Sequence, residues 1–322
     1  MSRCTIPPIS RRHFLQGATL TASTAWTSTV LGQKLLAQEI NDAEKMRASG
    51  ASASISVETL RRNSNVLLGS GGNIAVLSGR DGKLLVDAGF ATSQKQISGV
   101  LDQINIDPVR HLISTHWHFD HTDGNEWVHE AGATIIGHEN TRVRFSARQE
   151  IPEFNGIFPP SPLGARPTVL FSNEKSLEVN GETLQLQHYA PAHSDSDISV
   201  RFLQANILHT GDTWFNGVYP FIDYHNGGSL DGMLAASARN LQMSNSQTLI
   251  VPGHGPVGNK MQLAEYDSML RDVRDKVASL KKQGRSIQET IAACPSSIYD
   301  AKWGVGLVPS AAFVALVYAG VR

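Results

Sequence analysis

Three histidines and one aspartate lie close together in this chain: His116, His118, Asp120 and His121 come shortly after the apolar run Val109–Ile113. Imidazole nitrogen and carboxylate oxygen are ligands that suit zinc and iron. Residues two apart in an extended segment point the same way, so His116 and His118 can reach one ion. Asp120 and His121 lie beyond the strand end and can turn towards a second ion. A polar turn without metal would leave a costly uncompensated cluster near a core, so the segment predicts a metal site.

Four further candidates stand in short motifs: Asp87 in Val-Asp-Ala-Gly, His193 in Pro-Ala-His-Ser, Asp212 in Thr-Gly-Asp-Thr and His254 in Pro-Gly-His-Gly. The spacing His-x-His-x-Asp-His, together with these motifs in this order, resembles the metallo-β-lactamase superfamily. Five ordered motifs are far more specific than one. The resemblance implies an α/β fold, a four-layer αββα sandwich, with metal ions at the edge where both sheets end.

The resemblance also implies a role for each motif residue. It predicts two Zn²⁺ ions per chain, with iron or manganese as possible substitutes. The first ion would be held by His116, His118 and His193. The second would be held by Asp120, His121 and His254, and Asp212 would bridge the two. Asp87 is expected to orient a ligand histidine or the motif loop rather than bind metal.

Such a site predicts a zinc-dependent hydrolase acting on a small molecule. A hydroxide shared by two divalent ions is a nucleophile near neutral pH and needs no activated serine or cysteine. Asp120 is the expected catalytic residue, because its carboxylate can take the nucleophile's proton and help pass it to the leaving group. The expected substrate is an ester, thioester or lactone, since the β-lactamases that resemble this chain mostly have Cys or Ser in place of Asp212.

Three alternatives remain open at this stage. The first is an exported metallo-β-lactamase that opens β-lactam rings, which the segment Asp120–Asn125 also favours. The second is an iron-dependent oxidoreductase on the same scaffold, although His118 stands where the flavin-partnered diiron type has an acid. The third is a metal-binding protein without catalysis, which a complete ligand set argues against.

The resemblance covers residues 54–283 and leaves both ends of the chain outside it, so that four parts are expected. Residues 54–283 are predicted to form the metallo-β-lactamase domain, opened by antiparallel strands around the hairpin signal Asp81-Gly82. Within this domain the proline-rich stretch Ile151–Pro167 is predicted to be a loop of little regular structure that packs on the surface or faces substrate. Residues 38–53 are predicted to be a linker, and 284–322 a helical extension packed on the domain.

The first 37 residues are typical of a twin-arginine signal peptide. Arg11 and Arg12 precede Phe14-Leu15 and a mildly apolar stretch that is too short and too polar for a stable membrane span. The sequence thus predicts export machinery as a partner, a periplasmic or otherwise exported location and folding before export. A retained anchor remains an alternative, and the cleavage position is open.

Composition argues against nucleic acid as a partner. The chain has 28 basic and 29 acidic side chains, and residues 1–37 hold four of the basic and none of the acidic ones. The remainder is therefore net acidic, and its Lys and Arg are spread out rather than clustered on a face that could bind phosphates. The hydrophobic content of 41% is ordinary for a globular protein with a full core.

One aromatic loop is a candidate wall of the substrate pocket. It follows Asp212 and runs from residue 214 to 228. Substrate contact is predicted there for Tyr219, Tyr224, His225 and Asn226; the alternative is that the aromatic rings pack beneath the loop.

Overall fold

The computed structural model describes residues 43–321 and contains fourteen β-strands and ten α-helices in that range. The strands, in chain order, are β1 (Ser56–Thr59), β2 (Ser64–Leu68), β3 (Ile74–Leu77), β4 (Lys83–Val86), β5 (Val109–Ile113), β6 (Thr134–His138), β7 (Gln149–Ile151), β8 (Gly156–Phe158), β9 (Val169–Phe171), β10 (Glu174–Val179), β11 (Glu182–His188), β12 (Ile198–Phe202), β13 (Ile207–His209) and β14 (Leu249–Val251). The helices are α1 (Ala43–Gly50), α2 (Gln94–Ile104), α3 (Phe119–Thr122), α4 (Asn125–Glu130), α5 (Glu139–Ser146), α6 (Leu230–Met243), α7 (Lys260–Lys282), α8 (Ile287–Ala292), α9 (Asp300–Trp303) and α10 (Ser310–Gly320).

The strands form two large sheets and one hairpin. The first sheet has the order β1-β2-β3-β4-β5-β6-β9, antiparallel up to β4 and parallel from β4 onwards. The second has the order β10-β11-β12-β13-β14, antiparallel except for the parallel pair β13 and β14. The remaining strands, β7 and β8, pair with each other as a small antiparallel hairpin.

The two sheets pack face to face, and the alternation of side chains along β4 shows why. Leu84 and Val86 join a buried cluster with second-sheet residues such as Val200, whereas Leu85 joins a separate cluster with Ile97 of α2. Successive side chains of a strand point to opposite faces, so a strand that is apolar throughout must be covered on both. The strand therefore requires a second sheet on one side and helices on the other.

Helices cover both outer faces. α2 and α4 lie on the first sheet, and α6, α7 and α10 pack on the second through a core that includes Met233, Leu263, Tyr266 and Phe313. The predicted four-layer αββα sandwich is confirmed, and so is the predicted helical extension at the C-terminus. Lys281 of α7 holds the end of that extension by donating hydrogen bonds to the carbonyls of Tyr318 and Val321.

Two stretches differ from their predictions. Ala43–Gly50, inside the predicted linker, is helix α1, because Ala43 is buried and Arg47 forms a bidentate ion pair with Asp123. These long-range contacts stabilise a helix too short to be stable alone. The predicted irregular loop begins instead within the β7–β8 hairpin, whose turn Pro152–Phe154 is a 3₁₀ helix.

The predicted signal peptide, residues 1–37, lies outside the described residues. Among residues 43–321, every helix is too short or too polar to cross a membrane.

A stacked pair of histidines links the two sheets. The rings of His138, at the end of β6, and His188, at the end of β11, lie 3.6 Å apart and nearly parallel. The Nε2 of His138 is 2.7 Å from the carbonyl of Ser172, and its Nδ1 accepts from the backbone of Asn140. The Nε2 of His188 is 3.1 Å from the carbonyl of Asp195. Burial lowers the pKa of both rings, so the pair is packed in its neutral form.

This pairing predicts acid sensitivity. A histidine whose folded pKa lies below its unfolded value stabilises the protein fully above the unfolded pKa, about 6.5, and loses that contribution as the pH falls towards the folded pKa. The change His188→Gln keeps an amide donor for Asp195 but removes the titration. Urea unfolding should show a smaller loss of stability between pH 7.5 and 5.5 in this variant than in wild type. The change His225→Gln, at an exposed ring, should leave the wild-type loss unchanged. An identical loss in all three proteins would contradict the role of the pair.

Candidate metal centre

The ends of four strands deliver the predicted ligands to one edge of the sandwich. Parallel β4 and β5 place Asp87 and the 116–121 segment at their carboxyl ends, and parallel β13 and β14 do the same for Asp212 and His254. Carboxyl ends of parallel strands meet at one edge of a sheet, where open α/β folds bind ligands. His193 joins them from the loop between β11 and β12.

The first group contains His116, His118, His193 and Asp212, all buried, and one ligand atom from each lies within 4.8 Å of the others. His193 Nε2 is 2.7 Å from His118 Nδ1 and 3.3 Å from Asp212 Oδ2. His116 Nε2 is 3.9 Å from the same carboxylate oxygen. Three imidazoles and one carboxylate oxygen therefore converge on one point.

The second group contains Asp120, His121 and His254. His254 Nε2 is 3.1 Å from Asp120 Oδ2 and 3.2 Å from His121 Nε2. Asp212 also reaches this group, since its Oδ1 is 3.0 Å from His121 Nε2 and its Oδ2 is 3.5 Å from His254 Nε2. The structure thus brings all seven predicted ligands together, with Asp212 between the two groups.

Hydrogen bonds on the outer side of four imidazoles determine which nitrogen faces inward. His116 Nδ1 lies 3.0 Å from Thr115 Oγ1, and His193 Nδ1 lies 2.9 Å from the carbonyl of Phe221. His121 Nδ1 is 2.7 Å from Asp87 Oδ2, and His118 Nε2 is 2.8 Å from an Asp223 oxygen. The carbonyl and the carboxylates only accept, and Thr115 donates its own proton to Asp87, so each outer nitrogen must donate. When such a ring is neutral, as metal binding requires, its inward nitrogen presents a lone pair.

These lone pairs are what a metal ion requires. The inward nitrogens of His118 and His193 lie 2.7 Å apart, so when both rings are neutral their two lone pairs repel each other unless a cation binds both. His116 Nε2 is buried and lacks a hydrogen-bond partner among the described residues. Buried polar atoms are normally paired, so this unpaired nitrogen fits a bound cation. The donor set of nitrogen and carboxylate oxygen suits a divalent transition metal.

The charges of the group fit the same conclusion. Burial lowers the pKa of His116 and His193, which keeps both rings neutral and able to bind metal. Burial also lowers the pKa of His254, but the carboxylates of Asp212 and Asp120 outweigh it and raise the pKa to about 9. The pKa of Asp120 is raised by burial, yet the neighbouring His121 and His254 bring it down to about 2. The second group therefore attracts positive charge.

Asp87 orients its neighbours and lies behind the metal-facing atoms. Its backbone adopts a left-handed conformation with φ of 67°, which is uncommon for a residue other than glycine. In this position its carboxylate accepts from the backbone N–H and hydroxyl of Thr115 as well as from His121. Asp87 therefore anchors both the start of the metal segment and one of its rings, as expected of a residue that orients ligands.

Two glycines allow the close packing of the ligands. A Cβ on Gly72 would lie 2.1 Å from the ring of His121, and a Cβ on Gly253 would lie 1.9 Å from Asp212 Oδ1. Only glycine lets the backbone approach so closely, so any larger residue must displace a ligand at either position.

Asp223, whose carboxylate accepts a hydrogen bond from His118, was not predicted from the sequence. Its carboxylate is buried and receives further hydrogen bonds from the backbone and side chain of Asn226. Burial raises the pKa of Asp223, but the hydrogen bond from His118 outweighs it and the net pKa is lowered. The aromatic loop carries no metal motif around this residue, and its partner lies 105 positions away. The only signal for Asp223 in the sequence is that it is an acidic residue in the loop that follows the predicted ligand Asp212.

The predicted substrate contacts of this loop lie in different surroundings. The hydroxyl of Tyr219 donates to Asp300, and that of Tyr224 donates to the carbonyl of Leu316, so both tyrosines contact the C-terminal extension. For these two tyrosines the structure therefore shows the alternative to substrate contact, in which the aromatic rings pack beneath the loop. Asn226 is buried beside Asp223, where it supports the metal group from behind. Of the four residues, His225 alone is exposed.

The aromatic residues of this loop that do contact the metal group are phenylalanines, and Trp117 contacts His118 from outside the loop at 4.6 Å. The ring of Phe215 stacks on His254 at 5.3 Å, and Phe221 lies 5.9 Å from His193 and 6.2 Å from His118. These rings exclude water from one side of the imidazoles.

A sequence model of the family described as the metallo-beta-lactamase superfamily matches residues 67–254. The match covers more than half of the chain and includes all seven predicted ligands. The chain belongs to the metallo-β-lactamase superfamily.

Comparison with individual proteins gives more distant similarities. A hydroxyacylglutathione hydrolase from Polaromonas sp. is 28% identical over 156 residues, which are 48% of this chain and 51% of that protein. The chain therefore spans about half the length of this curated relative. A metallo-beta-lactamase from Pontibacter korlensis superposes with a TM-score of 0.56 at 19% identity, over 68% of this chain and 100% of that chain. The sec-alkylsulfatase Pisa1 from Pseudomonas sp. gives 0.62 at 16% identity, over 89% and 54%. At these identities the two structures show the fold alone.

The contact between Asp223 and His118 can be tested by the change Asp223→Asn. The amide keeps the shape of the carboxylate but removes its charge, and such outer hydrogen bonds are typically worth about 10- to 100-fold in metal affinity. We expect zinc affinity, measured by competition with a chromogenic chelator, to fall by about tenfold or more. The change Asp102→Asn, at an exposed carboxylate in α2, is the control and should leave the affinity unchanged. An unaltered affinity in the Asp223 variant would contradict its role.

Proposed function

We propose that this protein is a metal-dependent hydrolase that binds two divalent ions, most simply zinc, and cleaves an ester, thioester or lactone. The observation that carries the proposal is the position of Asp212, whose carboxylate lies within 3.9 Å of ligand nitrogens from both groups. When bound, two such ions supply an activated water and polarise the carbonyl under attack.

The protein's own residues supply access, orientation and proton transfer. Asp120 and His254 are the most exposed of the seven side chains, at 10% and 27%, so a substrate approaches on their side. Asp120 lies on this open side, where its carboxylate oxygen can accept a proton and return it to a leaving group. Phe215 and Phe221 shield the imidazoles and strengthen the electrostatic interactions between the ligand groups.

Two facts support an ester or thioester as the substrate. The curated relative is named as a hydrolase of hydroxyacylglutathione, which is a thioester. Asp212 is a carboxylate, so it offsets more of the ions' charge than a neutral side chain would, and this favours esters over hindered amides. Hydrolysis of β-lactams is the second candidate, supported by the fold shared with the Pontibacter korlensis protein.

The double site can be tested by its stoichiometry. Purified protein should contain close to two zinc equivalents by elemental analysis. The change Asp212→Ala removes the residue shared by both groups and should reduce the content to one equivalent or fewer, whereas Asp102→Ala, on an exposed helix face, should not. If wild-type protein binds only one zinc equivalent even in excess zinc, and the Asp212→Ala variant binds the same amount, Asp212 is not shared by two ions.

The substrate class can be tested by side-by-side kinetics of zinc-loaded protein. We expect kcat/KM for the best ester, thioester or lactone to exceed that for the best penicillin, cephalosporin or carbapenem by at least about tenfold. This corresponds to about 1.4 kcal/mol in the transition state. Efficient β-lactam hydrolysis with no ester within tenfold would favour the second candidate, and iron content with redox turnover would favour the oxidoreductase.

Export is part of the proposal and rests on Arg11 and Arg12. Export by the twin-arginine route requires that its machinery bind the signal of the folded protein, and this machinery is expected to recognise the guanidinium pair. Replacing both by Lys should retain most of the protein in the cytoplasm on cell fractionation. The change Arg3→Lys, outside the pair, should have no effect. Normal export of the double variant would refute the signal.

A further inference from the structure

The segment that follows β6 at the edge of the metal centre carries several arginines (Arg142, Arg144, Arg148 and Arg166). Six other loops, which carry the predicted ligands or adjoin them, contain no Lys or Arg. These loops lie at the carboxyl edge of the two sheets and comprise residues 69–73, 87–93, 114–124, 189–197, 210–229 and 252–259. They carry seven acidic side chains: Asp87, Asp120, Asp123, Asp195, Asp197, Asp212 and Asp223. Two bound divalent ions, together with the two arginines that pair with Asp123 and Asp195, would supply six positive charges against these seven carboxylates.

Among the described residues, the two arginines that donate side-chain hydrogen bonds to these loops from outside are each paired with a carboxylate. Arg47 of α1 makes hydrogen bonds of 2.6 and 3.1 Å to the two oxygens of Asp123. Arg144 of α5 does the same to Asp195, at 2.6 and 3.1 Å, and also donates to Asn226. Each guanidinium is thus held by a carboxylate in the bidentate geometry that an anionic ligand would need.

The walls nearest the metal group are apolar or acidic. Phe215 stacks on His254, Phe221 lies against His118, and Phe154 in the turn of the β7–β8 hairpin packs on Phe221 at 4.8 Å. The neighbour of Phe154, Glu153, is buried, and its Oε2 has no hydrogen-bond partner among the described residues. The hairpin therefore adds aromatic surface and another acid, without a basic group.

We propose that the site selects uncharged, largely apolar esters or lactones and discriminates against anionic ones. The proposal deepens, and rests on, the proposed hydrolase function. A substrate carboxylate must exchange its water for a fixed guanidinium or ammonium, and otherwise it pays for desolvation and for repulsion by the acids of the loops. An apolar acyl chain, by contrast, binds favourably because it buries its surface against the aromatic walls. Acylglutathiones and the common β-lactam antibiotics carry a carboxylate and are disfavoured on this ground, so the name of the curated relative supports only the type of bond that is cleaved and not the rest of the substrate.

A matched pair of esters tests the selection. The 4-nitrophenyl ester of 6-methylheptanoic acid and the mono-4-nitrophenyl ester of adipic acid have the same shape and differ in a terminal isopropyl or carboxylate. Zinc-loaded full-length protein should hydrolyse the neutral ester with a kcat/KM at least about tenfold higher, and added salt should reduce the ratio because it screens repulsion. Comparable values for the two esters would overturn the selection and leave the hydrolase function intact, and so would a preference for the 6-aminohexanoate ester over the neutral one.

A binding measurement separates failure of the selection from failure of the function. The corresponding 4-nitroanilides resist hydrolysis, and calorimetry should give a dissociation constant at least about tenfold lower for the neutral anilide. If neither ester is cleaved but the anilides differ in this way, the selection stands and the proposed function falls. Equal affinities of the two anilides would overturn the selection whatever the turnover.

An added charge supplies the reverse test. The change His225→Lys places an ammonium on the exposed part of the aromatic loop and should narrow the ratio of the two esters by at least about threefold. The matched control Ile106→Lys adds the same charge at an exposed position before β5, at the opposite end of that strand from the metal centre. This control should leave the ratio unchanged. Equal ratios in both variants and wild type would contradict a local electrostatic origin of the selection.

Discussion

Repulsion between inward-facing imidazole lone pairs is the constraint on which this structure depends. His118 and His193 bring two nitrogens to 2.7 Å while their other nitrogens donate to Asp223 and to the carbonyl of Phe221. When both rings are neutral, such a pair is stable only around a cation, and the surrounding atoms hold both rings in this arrangement. The outer hydrogen bonds select the tautomers, the buried carboxylates supply compensating charge, and Gly72 and Gly253 leave room for the rings and for Asp212.

The fold supplies these fixed positions through strand ends and through the C-terminal extension. The extension covers the second sheet, and its contacts with Tyr219 and Tyr224 hold the loop that carries Asp223. Helix α1 acts similarly from the other end of the chain, because the pair of Arg47 and Asp123 secures the segment just after His121. Elements outside the two sheets therefore support the ligands indirectly and leave the side of Asp120 and His254 open to substrate.

The part of this site that could be predicted from sequence is the part encoded by local spacing. His116, His118, Asp120 and His121 are dense enough to be unmistakable, and the buried strands before them follow from apolar runs. Asp223 could not be predicted, since its role depends on the direction in which a long loop folds back on His118. Tyr219 and Tyr224 show the same difficulty, because the sequence places them near the site but does not determine which way an aromatic ring turns. Helix α1 depends on the tertiary contacts of Ala43 and Arg47, and a linker composition gives no sign of them.

Anomalous diffraction at the zinc absorption edge, from crystals of the zinc-loaded protein, would locate the bound ions. We expect two peaks per chain, one within bonding distance of His116, His118 and His193, and one within bonding distance of Asp120, His121 and His254. An oxygen of Asp212 should lie within bonding distance of each peak. A single peak in excess zinc, or two peaks with Asp212 bound to neither, would contradict a double site shared by Asp212.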